Sequence, residues 1–160
     1  MNQLVIDKLK GYSSESIERT EEFRDDLTVT VRKQDIVRVC GFLKNDPDLA
    51  FDMIIDLCGV DMYRPEGRFE VVYNLYSLKN ASYVRLKVQV GEDDPVVPSV
   101  TGVWSGADWH ERETYDMFGI TFSGHPDLRR LYMPEEYEYF PLRKEFPLMG
   151  VPDSLPLPRK

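Results

Sequence analysis

The residues best suited to chemistry lie in one stretch, WHERETYDMFGITFSGHPDLRRLY, residues 109–132. It gathers Glu111, Glu113, Asp116 and Asp127 with Arg112, Arg129, Arg130, His110 and His125. Its start, His110-Glu111-Arg112-Glu113-Thr114, resembles H-E-x-x-H, in which two imidazoles one helical turn apart hold zinc. Here Thr114 stands where the second imidazole must be, and a hydroxyl cannot replace it. His110, Glu113, Asp116 and His125 could still offer oxygen and nitrogen donors to another divalent ion, although no spacing forces them to converge. That alternative makes the chain a stand-alone metal-dependent enzyme. Glu111 and Glu113, two positions apart on a helix, point about 200° away from each other and cannot share one reaction centre. The sequence has no G-x-S-x-G nucleophile elbow and neither of the glycine-rich phosphate loops.

A second reading makes the same charges fasteners. Arg112 and Asp116 are one turn apart and can pair, leaving Glu111 and Glu113 to meet Arg129 or Arg130. Breaking such a pair when it is buried costs roughly 3–5 kcal/mol, against about 0–1 kcal/mol for an exposed one. His125-Pro126, after Ser123-Gly124, reads as a turn in which the imidazole caps backbone groups, and Gly119 and Gly124 suit tight bends. Trp104 and Trp109 are expected to be core or interface anchors.

The elements that must position this stretch come before it. Residues 3–10 suggest a short helix, followed by a polar loop or linker around YSSESIERTEEF. From Leu27, apolar Leu27, Val29 and Val31 alternate with Thr28, Thr30 and Arg32, the period of a half-buried strand. Ile36, Val37, Cys40 and Leu43 then mark one face of a helix that ends at Asn45-Asp46-Pro47. FDMIIDLCGVDMY and RFEVVYNLYSL, separated by RPEG, read as a β-hairpin. In SYVRLKVQV, Val84, Leu86, Val88 and Val90 share one face and Tyr83, Arg85, Lys87 and Gln89 the other. Ser105 and Asp108 are spaced as a capping box for the helix of the charged stretch, and Gly119 supplies its stop. The order β-α-β-β-β-α predicts an α+β fold, a four-stranded mixed sheet with helices on one face.

Six of the eleven prolines lie between Pro134 and Pro158, so no helix or central strand can run through that segment. It is nonetheless rich in aromatic and aliphatic residues, which something must cover. At about 3.3 Å per residue it could span on the order of 90 Å and cross a neighbouring protein. The expected organisation is an N-terminal helix and linker (1–26), a folded domain (27–133) and an extended proline-rich C-terminal arm (134–160).

A formal charge of -8 disfavours a nucleic-acid partner. Cys40 and Cys58 lack C-x-x-C spacing and are expected to be reduced thiols rather than ligands of zinc or an iron–sulfur cluster. The N-terminus lacks the layout of a secretory signal, and no apolar run approaches the roughly 20 residues of a membrane helix, so a cytoplasmic location is expected.

The charged stretch resembles the signature of the thirty-kilodalton subunit family of respiratory complex I, whose bacterial members are the C subunits of NADH-quinone oxidoreductase. That signature reads E-R-E, two residues, an acid, two apolar residues, six residues, a histidine, three residues, a basic residue, one residue and two apolar residues. Glu111, Arg112, Glu113, Asp116, Met117, Phe118, His125, Arg129, Leu131 and Tyr132 occupy those positions in turn. PLRKEFP, residues 141–147, is similar to the family's tail. The likeness covers roughly residues 27–150 and departs from many members by its early end.

The resemblance implies a subunit that itself holds no cofactor, in the peripheral arm of a proton-translocating NADH:quinone oxidoreductase. FMN, NADH, iron–sulfur clusters and quinone would belong to the assembled complex. The expected partners are chiefly the D subunit of the quinone site, the forty-nine-kilodalton subunit, with the B and I subunits nearby, on the cytoplasmic side of the cell membrane. Glu111, Arg112, Glu113, Asp116, Phe118, His125, Arg129, Arg130, Leu142, Arg143 and Phe146 are the expected motif and docking residues. An equivalent subunit of a membrane-bound NiFe hydrogenase or of ferredoxin-dependent photosynthetic complex I is the alternative within the same fold.

Overall fold

The computed structural model describes residues 1–151. Helix α1 (Asn2–Ser13) buries Val5 and Leu9, one turn apart on one side. The polar segment after it is a strand, not a loop: β1 (Ile17–Phe23) pairs antiparallel with β2 (Asp26–Val31) at the sheet edge. Arg24 and Asp25 join them at φ 50° and 69°, both left-handed, as a two-residue hairpin of type I′ requires. Strand β1 is mostly exposed and heavily charged, a composition that protects an open edge from pairing with other chains.

Helix α2 (Ile36–Asn45) stops at the expected breaker and buries Ile36, Val39, Cys40 and Leu43. Val37, expected on this face, is exposed. It lies about 100° around the helix from Ile36, whereas Val39 returns to the stripe at i+3. The hairpin forms as β3 (Met53–Asp61) and β4 (Phe69–Ser77), and β5 (Ser82–Val90) adds antiparallel to β4. Strand β2 closes onto β5 in parallel, so the main sheet has five strands in the order β1-β2-β5-β4-β3.

Register explains where the core lies. Val29 faces Leu86, Leu86 faces Tyr73 and Tyr73 faces Leu57 across four strands, and all four are buried with the inward residues of the three helices. The next row, Thr28, Arg85, Asn74 and Asp56, points to the other side. All four of these residues are half-buried.

Helix α3 (Ala107–Phe118) packs along β3. The expected capping box is absent: Gly106 is the N-cap, so Ser105 lies one residue too early and only its main-chain oxygen meets the Asp108 N–H, at 3.3 Å. The approach to β3 depends on Gly59, where a Cβ would come within 2.7 Å of the Phe118 ring and 3.0 Å of the Thr114 methyl.

Gly59→Ala is therefore expected to push α3 off the sheet edge and cost about 1–3 kcal/mol. A lower urea midpoint with an unchanged denaturant slope would show it; an unchanged midpoint would contradict the packing described.

Candidate functional site

Strands β6 (Val96–Pro98) and β7 (Thr121–Ser123) flank α3 in the chain and pair with each other in parallel. The crossover carries the loop after β6 and the turn after β7 to the same stretch of the helix. Glu111 is completely buried there, accepting hydrogen bonds from the Ser99 hydroxyl and the Val100 N–H, each at 2.7 Å. Burial pushes its carboxyl up to about 7 against the opposing pull of those two donors. His125 Nδ1 accepts the Asp127 N–H at 3.0 Å, which leaves the proton on Nε2, 3.3 Å from the Asp108 carbonyl. The imidazole thus caps backbone on both sides, as its place in the turn predicts.

Asp116, also fully buried, is the grip of the next loop. Its Oδ2 accepts three successive backbone N–H groups, Leu131 at 3.0, Tyr132 at 2.6 and Met133 at 3.0 Å, while Oδ1 takes Arg130 at 2.7 Å. Burial alone would raise this carboxyl; the bonds from Tyr132, Met133, Arg130 and Leu131 outweigh it and hold it below the usual range.

The C-terminal segment then completes the helix. An α-helix leaves its last four carbonyls without intrahelical donors. Here Tyr115 O takes the Gly119 N–H, Asp116 O takes Arg130, Met117 O takes the Leu142 N–H, and Phe118 O takes Arg143 at 2.7 Å. Two guanidinium groups at this end also suit the negative pole of the helix dipole. Gly119, left-handed at φ 75°, leaves the space that Arg143 and Phe140 need: a Cβ would stand 2.7 Å from Arg143 Nη2 and from the Phe140 ring.

A second buried carboxylate holds the arm from the sheet side. Asp61, at the end of β3, accepts Arg68 Nη2 at 2.9 Å and Nε at 3.2 Å, and the Lys144 N–H at 2.9 Å. Arg68 also binds Glu92 and Glu145. Burial opposes ionisation of Asp61, yet the Arg68 and backbone bonds bring it down to about 2. Spacing along the chain does not reveal this group, because Asp61 and Arg68 flank a turn where charge is ordinary; only the hairpin, which pairs Asp61 with Phe69 next to Arg68, unites them. From Pro134 to Phe146 the arm therefore lies on its own domain, with Tyr137 buried, rather than reaching away from it. No helix or strand forms among its described residues, and residues 152–160 lie outside the described part.

The expected charge pairs are thus corrected. Arg112 does not pair with Asp116; it lies 4.0 Å from Asp108, stacks on Trp109 and donates to the Arg129 carbonyl at 3.2 Å. Neither Glu111 nor Glu113 meets Arg129 or Arg130. Glu111 binds the loop after β6, Glu113 is exposed, Arg129 pairs with Asp127, and Arg130 belongs to Asp116. Arg112, Phe118 and Arg130 are held against the body with Arg143, while Arg129 and Leu142 face solvent and Phe146 is half-buried. Trp104 is in the core and Trp109 is exposed. The four candidate metal donors do not converge: His110 faces Asp56, His125 caps backbone, Asp116 is saturated and Glu113 points outward. Cys40 and Cys58 are both unbridged, one buried and one half-buried.

Replacing Asp116 by Ala strands the Arg130 charge and three backbone donors, with an expected loss of about 3–5 kcal/mol; a loss below about 1 kcal/mol in chemical denaturation, the value of an exposed pair, would refute the grip. Glu111 gives a pH signature. The folded protein keeps its proton up to about pH 7, whereas an unfolded glutamic acid releases it near about 4.3. Its contribution to stability should fall as pH rises between those values and level off above. Glu111→Gln should remove that slope from a denaturation series, leaving the separate acid loss through Asp61, which lies between its ordinary value and about 2.

The sequence pattern of the family described as the respiratory-chain NADH dehydrogenase 30 Kd subunit matches residues 29–152. The NADH-quinone oxidoreductase C subunit of Roseiflexus sp. (strain RS-1) is 52% identical over 147 residues, covering 92% of this chain and 84% of that one. The second of the C subunits of Rhizobium meliloti (strain 1021) is 58% identical over 125 residues, covering 78% and 68%. Among solved structures, the trypsin-resistant fragment (1–134) of Nqo5 superposes with a TM-score of 0.67 at 34% identity, covering 80% of this chain and all of the fragment. A chain of an archaeal membrane-bound sulfane sulfur reductase shares the fold, with a TM-score of 0.75 at 20% identity over 92% of this chain and 86% of that one. With the E-R-E helix, the Asp116 grip and the tail in place, the chain belongs to the thirty-kilodalton subunit family of respiratory-chain NADH dehydrogenase.

Proposed function

We propose that this chain is a structural subunit of the peripheral arm of a proton-translocating NADH:quinone oxidoreductase, and that it holds no cofactor itself. It docks beside the forty-nine-kilodalton D subunit that forms the quinone site, with the B and I subunits nearby, and supports electron transfer from NADH to quinone through those neighbours. No described helix is long and apolar enough to cross a membrane; in this reading the chain meets the cytoplasmic face of the cell membrane through its partners.

The observation that carries the proposal is how the charges of the expected motif and docking residues are used. Glu111, Asp116, His125, Arg130 and Arg143 are engaged with backbone groups of their own chain, so they shape a surface instead of facing a substrate. Glu113, Arg129 and Leu142 remain outside, with Trp109 and Tyr132 exposed on the same segments. Trp, Tyr and Arg are the residue types that most often carry binding energy at protein interfaces. The relatives above half identity are named for NADH and quinone, which favours that machine over a hydrogenase or a ferredoxin-dependent complex.

Tagged full-length chain, recovered from gently solubilised membranes of its host, should bring down the quinone-site subunit together with NADH-dependent quinone reduction. Arg129→Ala should lower the amount of assembled complex more than the turnover of each assembled complex. The separately expressed chain turning over NADH, or holding stoichiometric metal or flavin, would overturn the reading.

A further inference from the structure

A buried acid normally brings a cation with it, because an unpaired carboxylate is costly away from water. Asp61 and Asp116 follow that rule through Arg68 and Arg130, and Glu111 breaks it. Among the described residues no Lys or Arg lies within ion-pairing distance of its carboxyl; only His125 Nε2, on a side chain as fully covered as that of Glu111, reaches 4.0 Å. The carboxyl is faced by Asp108 on its own helix, Ser99 and Val100 from the loop after β6, His125 from the turn after β7, Tyr73 from β4 and Cys40 from α2. Asp108 opposes a second negative charge, and burial keeps the Tyr73 hydroxyl and the Cys40 thiol protonated. Arg112, the next residue, is turned to Trp109 and the Arg129 carbonyl.

A line of oxygens connects this acid to the surface. Glu111 Oε2 is 2.7 Å from Ser99 Oγ, which is 2.8 Å from Thr101 Oγ1. Ser99 and Thr101 are half-buried, so solvent reaches this end of the line. A hydroxyl both donates and accepts, and the line is satisfied in either direction. With Glu111 ionised, Thr101 donates to Ser99 and Ser99 to the carboxylate. With Glu111 neutral, the acid O–H donates to Ser99, Ser99 to Thr101 and Thr101 to water. The Val100 N–H on Oε1, at 2.7 Å, and the Thr101 N–H on Ser99 Oγ, at 3.2 Å, serve both arrangements.

We propose that Glu111 is a proton-binding site with its own path to solvent, loaded and emptied through Ser99 and Thr101. On ionisation the Glu111 O–H bond breaks as its proton joins Ser99 Oγ. The Ser99 hydrogen passes to Thr101 and the Thr101 hydrogen to water, leaving one carboxylate and one hydronium ion. His125 registers the change, because the ionised Oε2 competes for its Nε2–H with the Asp108 carbonyl, 3.3 Å away. The site is independent of the subunit reading, since every group in it belongs to this chain.

The test follows the full-length chain by infrared spectroscopy, in a pH titration and after a rapid pH jump. The unaltered chain should show a protonated-carboxyl band that disappears near neutral pH and is missing from Glu111→Gln. The magnetic resonance signal of His125 Nε2 should shift over the same range, and that shift should be lost in the same variant. Thr101→Val, close in shape but without the hydroxyl, should slow the response to the jump at least ten-fold at an unchanged titration midpoint, while Thr101→Ser keeps the original rate. In the unaltered chain, the rate should fall non-linearly with the deuterium fraction of the solvent, as concerted transfer of several protons requires; that measurement needs no variant. A band that is absent, or that is lost already near about 4.3 as in an unburied glutamic acid, would overturn the site. An unchanged rate in Thr101→Val, or a linear deuterium dependence, would overturn the path.

Discussion

The carboxyl end of α3 is the constraint on which the second half of the molecule depends. Four carbonyls there have no donors within the helix, and each is met by a residue outside it: Gly119, Arg130, Leu142 and Arg143. Because these donors are spread from Gly119 to Arg143, the turn, the arginine loop and the arm must all converge on one helical turn. Leaving such groups buried and unmet would cost about 1–3 kcal/mol each. The geometry of the loop and of the arm is thereby one problem with one solution.

Two buried carboxylates enforce that solution from opposite sides. Asp116 holds residues 130–133 and Asp61 holds Lys144, each through backbone N–H groups and an arginine. Guanidinium groups do double service, since Arg143 lies 4.5 Å from the Phe140 ring centre and Arg130 lies 5.1 Å from it. Charge and aromatic surface are packed together, which lets a proline-rich segment with no ladder of its own adopt a fixed course. The family's charged signature is understood in this protein as the means by which irregular backbone is held in a fixed course.

Much of this is legible in the residues. Strand β5 follows its period of two without exception, and the β3–β4 hairpin, the end of α2 and the stop at Gly119 follow from ordinary breakers. Strand β1 is not legible, because an exposed edge has no apolar alternation and its Arg24-Asp25 turn lacks the usual Asn-Gly or Asp-Gly sequence. The charge partners mislead for a different reason: spacing along a helix favours i,i+4 pairs worth a few tenths of a kcal/mol. Asp116 instead takes four donors from a loop fourteen to seventeen residues later. Glu111 is the extreme case, since glutamate is a residue type seldom expected without any exposure.

The position of the last helix donors in the chain has a consequence for how the protein is made. On the ribosome, α3 emerges before Leu142 and Arg143, so two of its terminal carbonyls lack their final partners until the arm has been translated. Arrival of the arm and completion of the carboxyl end of α3 are therefore tied to the same few residues.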